Sequence, residues 1–248
     1  MVAAIAALIK MQSRVFLREP LAVFFGLVFP ALFLVVIGSV VPGATEPNAD
    51  LGGRSLVEIY APVSIALGLA TVALSLLPAT LGGDRERGFL RRLSTTPVHP
   101  GSLVGAHLVV QLVVVTCATL AAVLVGVLSF GIATPVSLGW FLLSYGLGAV
   151  SLLAVGLLIG AVVPTANSGQ AVGMLVYFPV LFFAGVYIPL EVMPDGVRTV
   201  SSYTPSGAAV QALSASWSGG VPETAALVVM AAWVFVAGSL AIWMFRWD

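Results

Sequence analysis

Six charged side chains fall within the nine positions from Asp84 to Arg92, in a 248-residue chain with only ten Lys and Arg and ten Asp and Glu. Arg85, Arg87, Arg91 and Arg92 carry planar, permanently charged forks suited to carboxylates and phosphates, and Asp84 and Glu86 set acceptors beside them. That is chemistry of recognition rather than of bond-making. His99 and His107 stand eight apart with no acidic or thiol ligand near them in sequence, which is not a metal-site spacing. The only lysine is Lys10, and no Gly-x-x-x-x-Gly-Lys-Ser/Thr phosphate loop occurs. No catalytic residues, no bound cofactor and no metal are expected. The net charge of zero gives no field for nucleic acid. Cys117, alone in an apolar run, is expected to pack in the interior.

The elements around this charged island decide where it lies. The chain is 60% hydrophobic and 8% charged, against roughly 25% charged residues in soluble domains. An all-α membrane protein is expected. About 20 apolar residues at 1.5 Å each cover a hydrocarbon core of roughly 30 Å. Six such spans are predicted, at about 21–41, 59–81, 102–130, 138–163, 170–188 and 223–245. Residues 1–20 form a separate amphipathic segment ahead of them, with Lys10, Arg14 and Arg18 in one stripe, as in helices lying at a membrane surface. Gly82-Gly83 is predicted to release the second span into the island, and Pro189 to about Pro222 to form short helices folded back between spans five and six.

A charged island cannot sit in hydrocarbon, where each charge costs about 2.5 kcal/mol or more. As a helix it would place Phe89, Leu90 and Leu93 on one face, with Gly88 allowing close approach of a neighbouring backbone. Glu86 lies toward that face and would need a cation if buried; Arg14 and Arg18 are the candidates. Six spans put both termini on one side. That side, with the island, holds eight Lys and Arg against two (Arg54 and Arg198) on the other. The positive-inside rule then makes both termini and the island cytoplasmic. Smaller expectations are close packing at Gly156-x-x-x-Gly160, interhelical hydrogen bonds from Gln111, Thr116 and Thr119, and interfacial anchoring by Trp217, Trp243 and Trp247.

Glu86-Arg87-Gly88-Phe89-Leu90-Arg91-Arg92-Leu93 with Thr96-Pro97 resembles the Glu-x-x-Gly-Thr-Leu-x-x-Leu-x-x-x-Pro signature of type-2 ABC transporter permeases, the membrane subunits of ABC exporters such as the daunorubicin-resistance type. Phe89 stands where the family usually has Thr. Phe182-Phe183-Ala184-Gly185-Val186-Tyr187-Ile188-Pro189, then Met193-Pro194 and Tyr203-Thr204-Pro205, is similar to the family's aromatic-glycine-proline segment and re-entrant helices. Arg18-Glu19-Pro20 ahead of a Pro30-containing span resembles its N-terminal elbow.

The resemblance implies a plasma-membrane subunit that pairs with a second copy or a related permease. It also implies two cytoplasmic ABC ATPase subunits, which hold the ATP and magnesium. Arg14, Arg18, Asp84, Arg85, Glu86, Arg87, Gly88, Phe89, Leu90, Arg91 and Leu93 become the expected ATPase-docking residues, with a coupling helix at the island. Tyr177, Phe178, Phe182 and Phe183 become the expected pathway for a small hydrophobic or amphiphilic substrate such as a drug, antibiotic or lipid. Pro189, Pro194, Tyr203 and Pro205 mark the extracellular re-entrant segment. Export comes from the resemblance alone. The alternatives are a stand-alone six-span channel or secondary transporter, or a scaffold that recruits a cytoplasmic partner.

Overall fold

The computed structural model describes residues 2–89 and 101–245. It is built of helices, with no strand among the described residues. Helix α1 (Val2–Arg18) precedes six membrane-length helices: α2 (Pro20–Val40), α3 (Leu56–Glu86), α4 (Gly101–Phe130), α5 (Leu138–Val162), α6 (Ala166–Phe183) and, last in the chain, α9 (Thr224–Met244). Between the fifth and sixth lie two shorter helices, α7 (Asp195–Ser202) and α8 (Pro205–Trp217). Glu19 is extended (φ −101°, ψ 93°) and so separates α1 from α2, as a residue before proline tends to be.

Two prolines shape the spans from within. Pro30 and Pro78 lack the N–H that a helix would direct at the carbonyl four residues back. In both cases the preceding stretch, Phe24–Val28 or Thr71–Leu76, winds as a π-helix. Phe29 N–H donates to the Phe24 carbonyl and Leu77 N–H to the Val72 carbonyl, five residues back. The wider turn absorbs the missing bond without ending the helix.

The hub is α3. Its apolar stretch is 94% buried, against 22% for α9 and 28% for α2 and α6. Helices α5 and α6 reach it through glycines. Gly156 abuts the carbonyl of Ala73 and Gly173 that of Leu74, leaving no room for a Cβ at either position. The Leu74 carbonyl is the one Pro78 leaves without its helical donor, so the Gly173 Cα–H approaches an acceptor with a free lone pair. Tyr177 of α6 hydrogen-bonds Thr71 across the same seam (2.9 Å).

Several sequence expectations need correction here. The second span is longer at both ends than 59–81. Ser55 and Glu58 form a reciprocal capping box, so the helix begins at Leu56, ahead of 59. Gly82-Gly83 does not release the chain. The helix runs on to Glu86, and Gly82 is the point where α3 meets the backbone of Thr165. The fifth span starts at Ala166 and not near 170, because Thr165 and Ser168 make a second capping box. Cys117 is exposed on the outer face of α4. Trp217 is buried, its indole N–H donating to the Ala133 carbonyl (2.8 Å), so it braces a loop instead of anchoring an interface. Trp243 is 81% exposed, and Trp247 lies outside the described residues.

Candidate functional site

The last turn of α3 holds Asp84, Arg85 and Glu86. Successive residues on a helix point about 100° apart, so three in a row can address three neighbours. They do. Asp84 Oδ2 accepts from Nε2 of His107 on α4 at 2.7 Å, with His107 only 3% exposed. Arg85 donates to the carbonyls of Gly160 and Ala161 (3.2 Å each) and of Val163, at the end of α5. Glu86 Oε2 accepts from the backbone N–H of Ala166 (3.1 Å), at the start of α6.

Both backbone contacts follow from helix electrostatics. The last carbonyls of α5 and the first N–H groups of α6 have no intrahelical partner. A cation suits the former and an anion the latter. The tight α5–α6 turn brings these two poles together, and consecutive residues of opposite charge on α3 meet them. Glu86 is therefore satisfied by backbone rather than by Arg14 or Arg18. Nor is His107 without an acid nearby: its partner Asp84 is 23 positions away in sequence.

Beyond Glu86 the helix closes at Arg87, and Gly88 takes φ +65°. This is the left-handed geometry that commonly ends helices. Nothing would crowd a Cβ there, so the glycine serves the turn and not a close approach. Phe89 packs with Leu8 of α1 and Phe245 against the buried Leu103 of α4. Phe245 also lies under the Arg85 guanidinium (5.5 Å to the ring centre). Arg87, Lys10, Arg14 and Arg18 are exposed at this same end. Leu90, Arg91 and Leu93, with Arg92, Thr96, Pro97 and the coupling helix expected there, lie outside the described residues.

The α6 aromatics separate into two environments. Tyr177 is buried against α3, whereas Phe178 is 55% exposed and meets the Tyr177 ring edge-on (5.8 Å). Phe182 and Phe183 are half-buried and edge-on to each other at 5.4 Å. At the far end of the bundle, Pro189 opens a single turn at Leu190–Val192 and Pro194 caps α7. Thr204 caps α8, with Pro205 in its first turn, where a missing N–H costs nothing. Ser201 and Ser206 donate to the Phe183 and Val180 carbonyls at the end of α6 (2.6 and 2.9 Å). Tyr203 is exposed, and its carbonyl accepts from the Trp233 indole (3.0 Å). Arg54 pairs with Glu191 at this end (2.7 Å).

Among the described residues, the geometry offers a central helix whose charged tip is tied to three others. A search of curated proteins finds no match. Residues 3–217 match the model of the ABC-2 type transporter family. The chain belongs to that family: it is a multi-pass membrane protein and a permease component of an ABC transporter, a class that works with an ABC ATPase.

Proposed function

We propose that this chain is the permease of an ATP-driven exporter that moves a hydrophobic or amphiphilic small molecule, powered by an ATPase on a separate chain. The observation that carries the coupling mechanism is the three-way tie at Asp84, Arg85 and Glu86. An ATPase pressing on the island end moves α3, and these contacts carry that movement to α4, α5 and α6 together. ATP and magnesium belong to the partner. The exposed cations Lys10, Arg14, Arg18 and Arg87 form the face on which it docks. The excess of basic residues at this end makes it cytoplasmic, with both termini, in the plasma membrane. Two permeases, identical or related, sit on two ATPases, and substrate passes between them along the α6 face that carries Phe178 and Phe182. ATP-driven closure shifts the population between inward- and outward-open states.

The test is purification of the tagged protein in mild detergent from its native host. Co-purification of an ATP-hydrolysing subunit, lost on combined reversal of Arg14, Arg18 and Arg87 to Glu, is the expected result. A preparation that carries no ATPase and transports under an ion gradient alone would establish the secondary transporter instead.

A further inference from the structure

Helix α1 turns one side to the bundle. Leu8, Ile9, Gln12 and Phe16 share a helical face and pack inward, Leu8 against Leu103 of α4. The opposite side carries Lys10, Arg14 and Arg18, all exposed. With Ala7, Met11 and Val15 they line an open groove of about 390 Å³, and no acid among the described residues borders it. None of the three cations pairs with a carboxylate among the described residues. Glu19, next to Arg18 in sequence, instead lines a separate cavity with Arg87. Leu17 lies on the same helical line as Lys10 and is 68% exposed; Leu21, at the start of α2, is 72% exposed. Phe24, Phe25 and Val28 continue this exposed apolar surface along the first turns of α2.

We infer that this groove seats the headgroup of an anionic phospholipid from the leaflet at the island end, its phosphate between Arg14 and Arg18 and its acyl chains along Leu17, Leu21 and Phe25. Three uncompensated cations select an anion, and guanidinium forks match phosphate oxygens two at a time. Arg14 and Arg18 are separated by about 6 Å along the helix axis, so both side chains can converge on one phosphate. A zwitterionic lipid would bring its own cation into a groove that already holds three. Arg18 ends α1, and the extended Glu19 redirects the chain into the first span at Pro20. The two arginines therefore stand where hydrocarbon gives way to headgroups. The apolar surface that continues from them is what favours a lipid, since a soluble phosphate compound has no use for it. An arginine carries five N–H donors, so a lipid phosphate on one edge leaves donors for the docking face proposed above. The inference needs only the permease and a bilayer, and does not rest on that docking.

The test is native mass spectrometry of the purified full chain, without any ATPase, in detergent containing equimolar phosphatidylglycerol and phosphatidylcholine. Preferential retention of phosphatidylglycerol is expected. Arg14→Gln with Arg18→Gln should weaken that binding roughly 25-fold, at roughly fivefold per cation removed. Arg14→Lys with Arg18→Lys keeps the charge and should retain most of the preference, and Arg198→Gln, at the other end of the bundle, should leave it unchanged. Equal melting of wild type and the glutamine variant in phosphatidylcholine separates lost binding from lost folding. If the double variant melts early, Lys10→Gln on the same groove carries the test, with a loss of roughly fivefold. Equal retention of the two lipids, or phosphatidylglycerol binding that survives the glutamine substitutions, overturns the inference. So does full displacement of the lipid by glycerol 1-phosphate at matched concentration, which would assign the groove to a soluble phosphate compound. With no ATPase present, each of these results leaves the docking proposal standing.

Discussion

Gly156 of α5 rests directly on the carbonyl of Ala73 in α3, with no space between them for a Cβ. Gly173 of α6 makes the matching contact at Leu74, one residue further along the same π-helical stretch. Two helices are thus seated on adjacent carbonyls of the hub. Gly156→Ala and Gly173→Ala must each push a helix off backbone that cannot rotate away, and overpacking of this kind costs about 1–3 kcal/mol or more. Gly146, on the same helix as Gly156, has nothing within 4 Å of a built Cβ. Gly146→Ala is expected to be neutral or slightly stabilising in a thermal melt in which the other two unfold several degrees early.

Why the sequence foretold six spans but not their roles follows from the solvent. In a bilayer, lipid tails are as apolar as Leu, so burial within protein leaves no signature in hydropathy. The helix that is 94% buried is no more apolar in composition than α9, at 22%. Gly82-Gly83 looked like a break because glycine is a poor helix former, yet Gly82 is there to meet Thr165. The charged island was legible because charge in an apolar chain has few places to go. The targets of Arg85 and Glu86 were not, since they are backbone groups 75 to 80 positions distant. Gly156-x-x-x-Gly160 was a weak pattern that the fold uses at both positions, against Ala73 and Leu81.

Arg85 and Glu86 cap opposite poles of one turn, and their loss should show as a local effect. Glu86→Ala removes an acceptor from the start of α6, where capping losses are about 0.5–2 kcal/mol. Arg85→Ala exposes the end of α5 and also removes the contact with Phe245. Faster amide exchange confined to residues 158–170 is expected for both variants. Because both act on the same turn, the double variant should cost less than the sum of the two. Strict additivity, or exchange spread evenly over the bundle, would show that the turn is not held by this pair.

The α6 aromatics are expected to respond in opposite ways. Tyr177→Phe deletes the hydroxyl that meets Thr71 inside the bundle, and interhelical bonds in membranes average about 0.6 kcal/mol and reach about 1.7. A modest fall in melting temperature with an unchanged substrate profile follows. Phe178→Ala and Phe182→Ala leave the hub contact intact and should alter the ranking of substrates in a transport panel at near-normal ATPase stimulation. Identical rankings for wild type and both alanine variants would take these two rings out of the pathway.

On the proposed coupling mechanism, docking and transmission are separable at the island end, since they would use different side chains. Arg14, Arg18 and Arg87 face outward, while Asp84 is turned inward to His107. Reversing the outward cations should lose the ATPase from the purified complex. Asp84→Asn keeps the outward surface but replaces a charge-assisted bond with a neutral one, roughly half as strong. The ATPase should then co-purify at full stoichiometry and hydrolyse ATP at its basal rate. Transport per ATP should nonetheless fall, because α4 no longer follows α3 as tightly. Coupling energies between sites are typically about 1–3 kcal/mol, roughly 5–150-fold, and loss of part of one such coupling should be visible as a severalfold drop in that ratio. Measured side by side in nanodiscs, loss of the ATPase from Asp84→Asn would assign this acid to docking, and an unchanged transport-to-ATP ratio would remove the Asp84–His107 contact from the path between the ATPase and the spans.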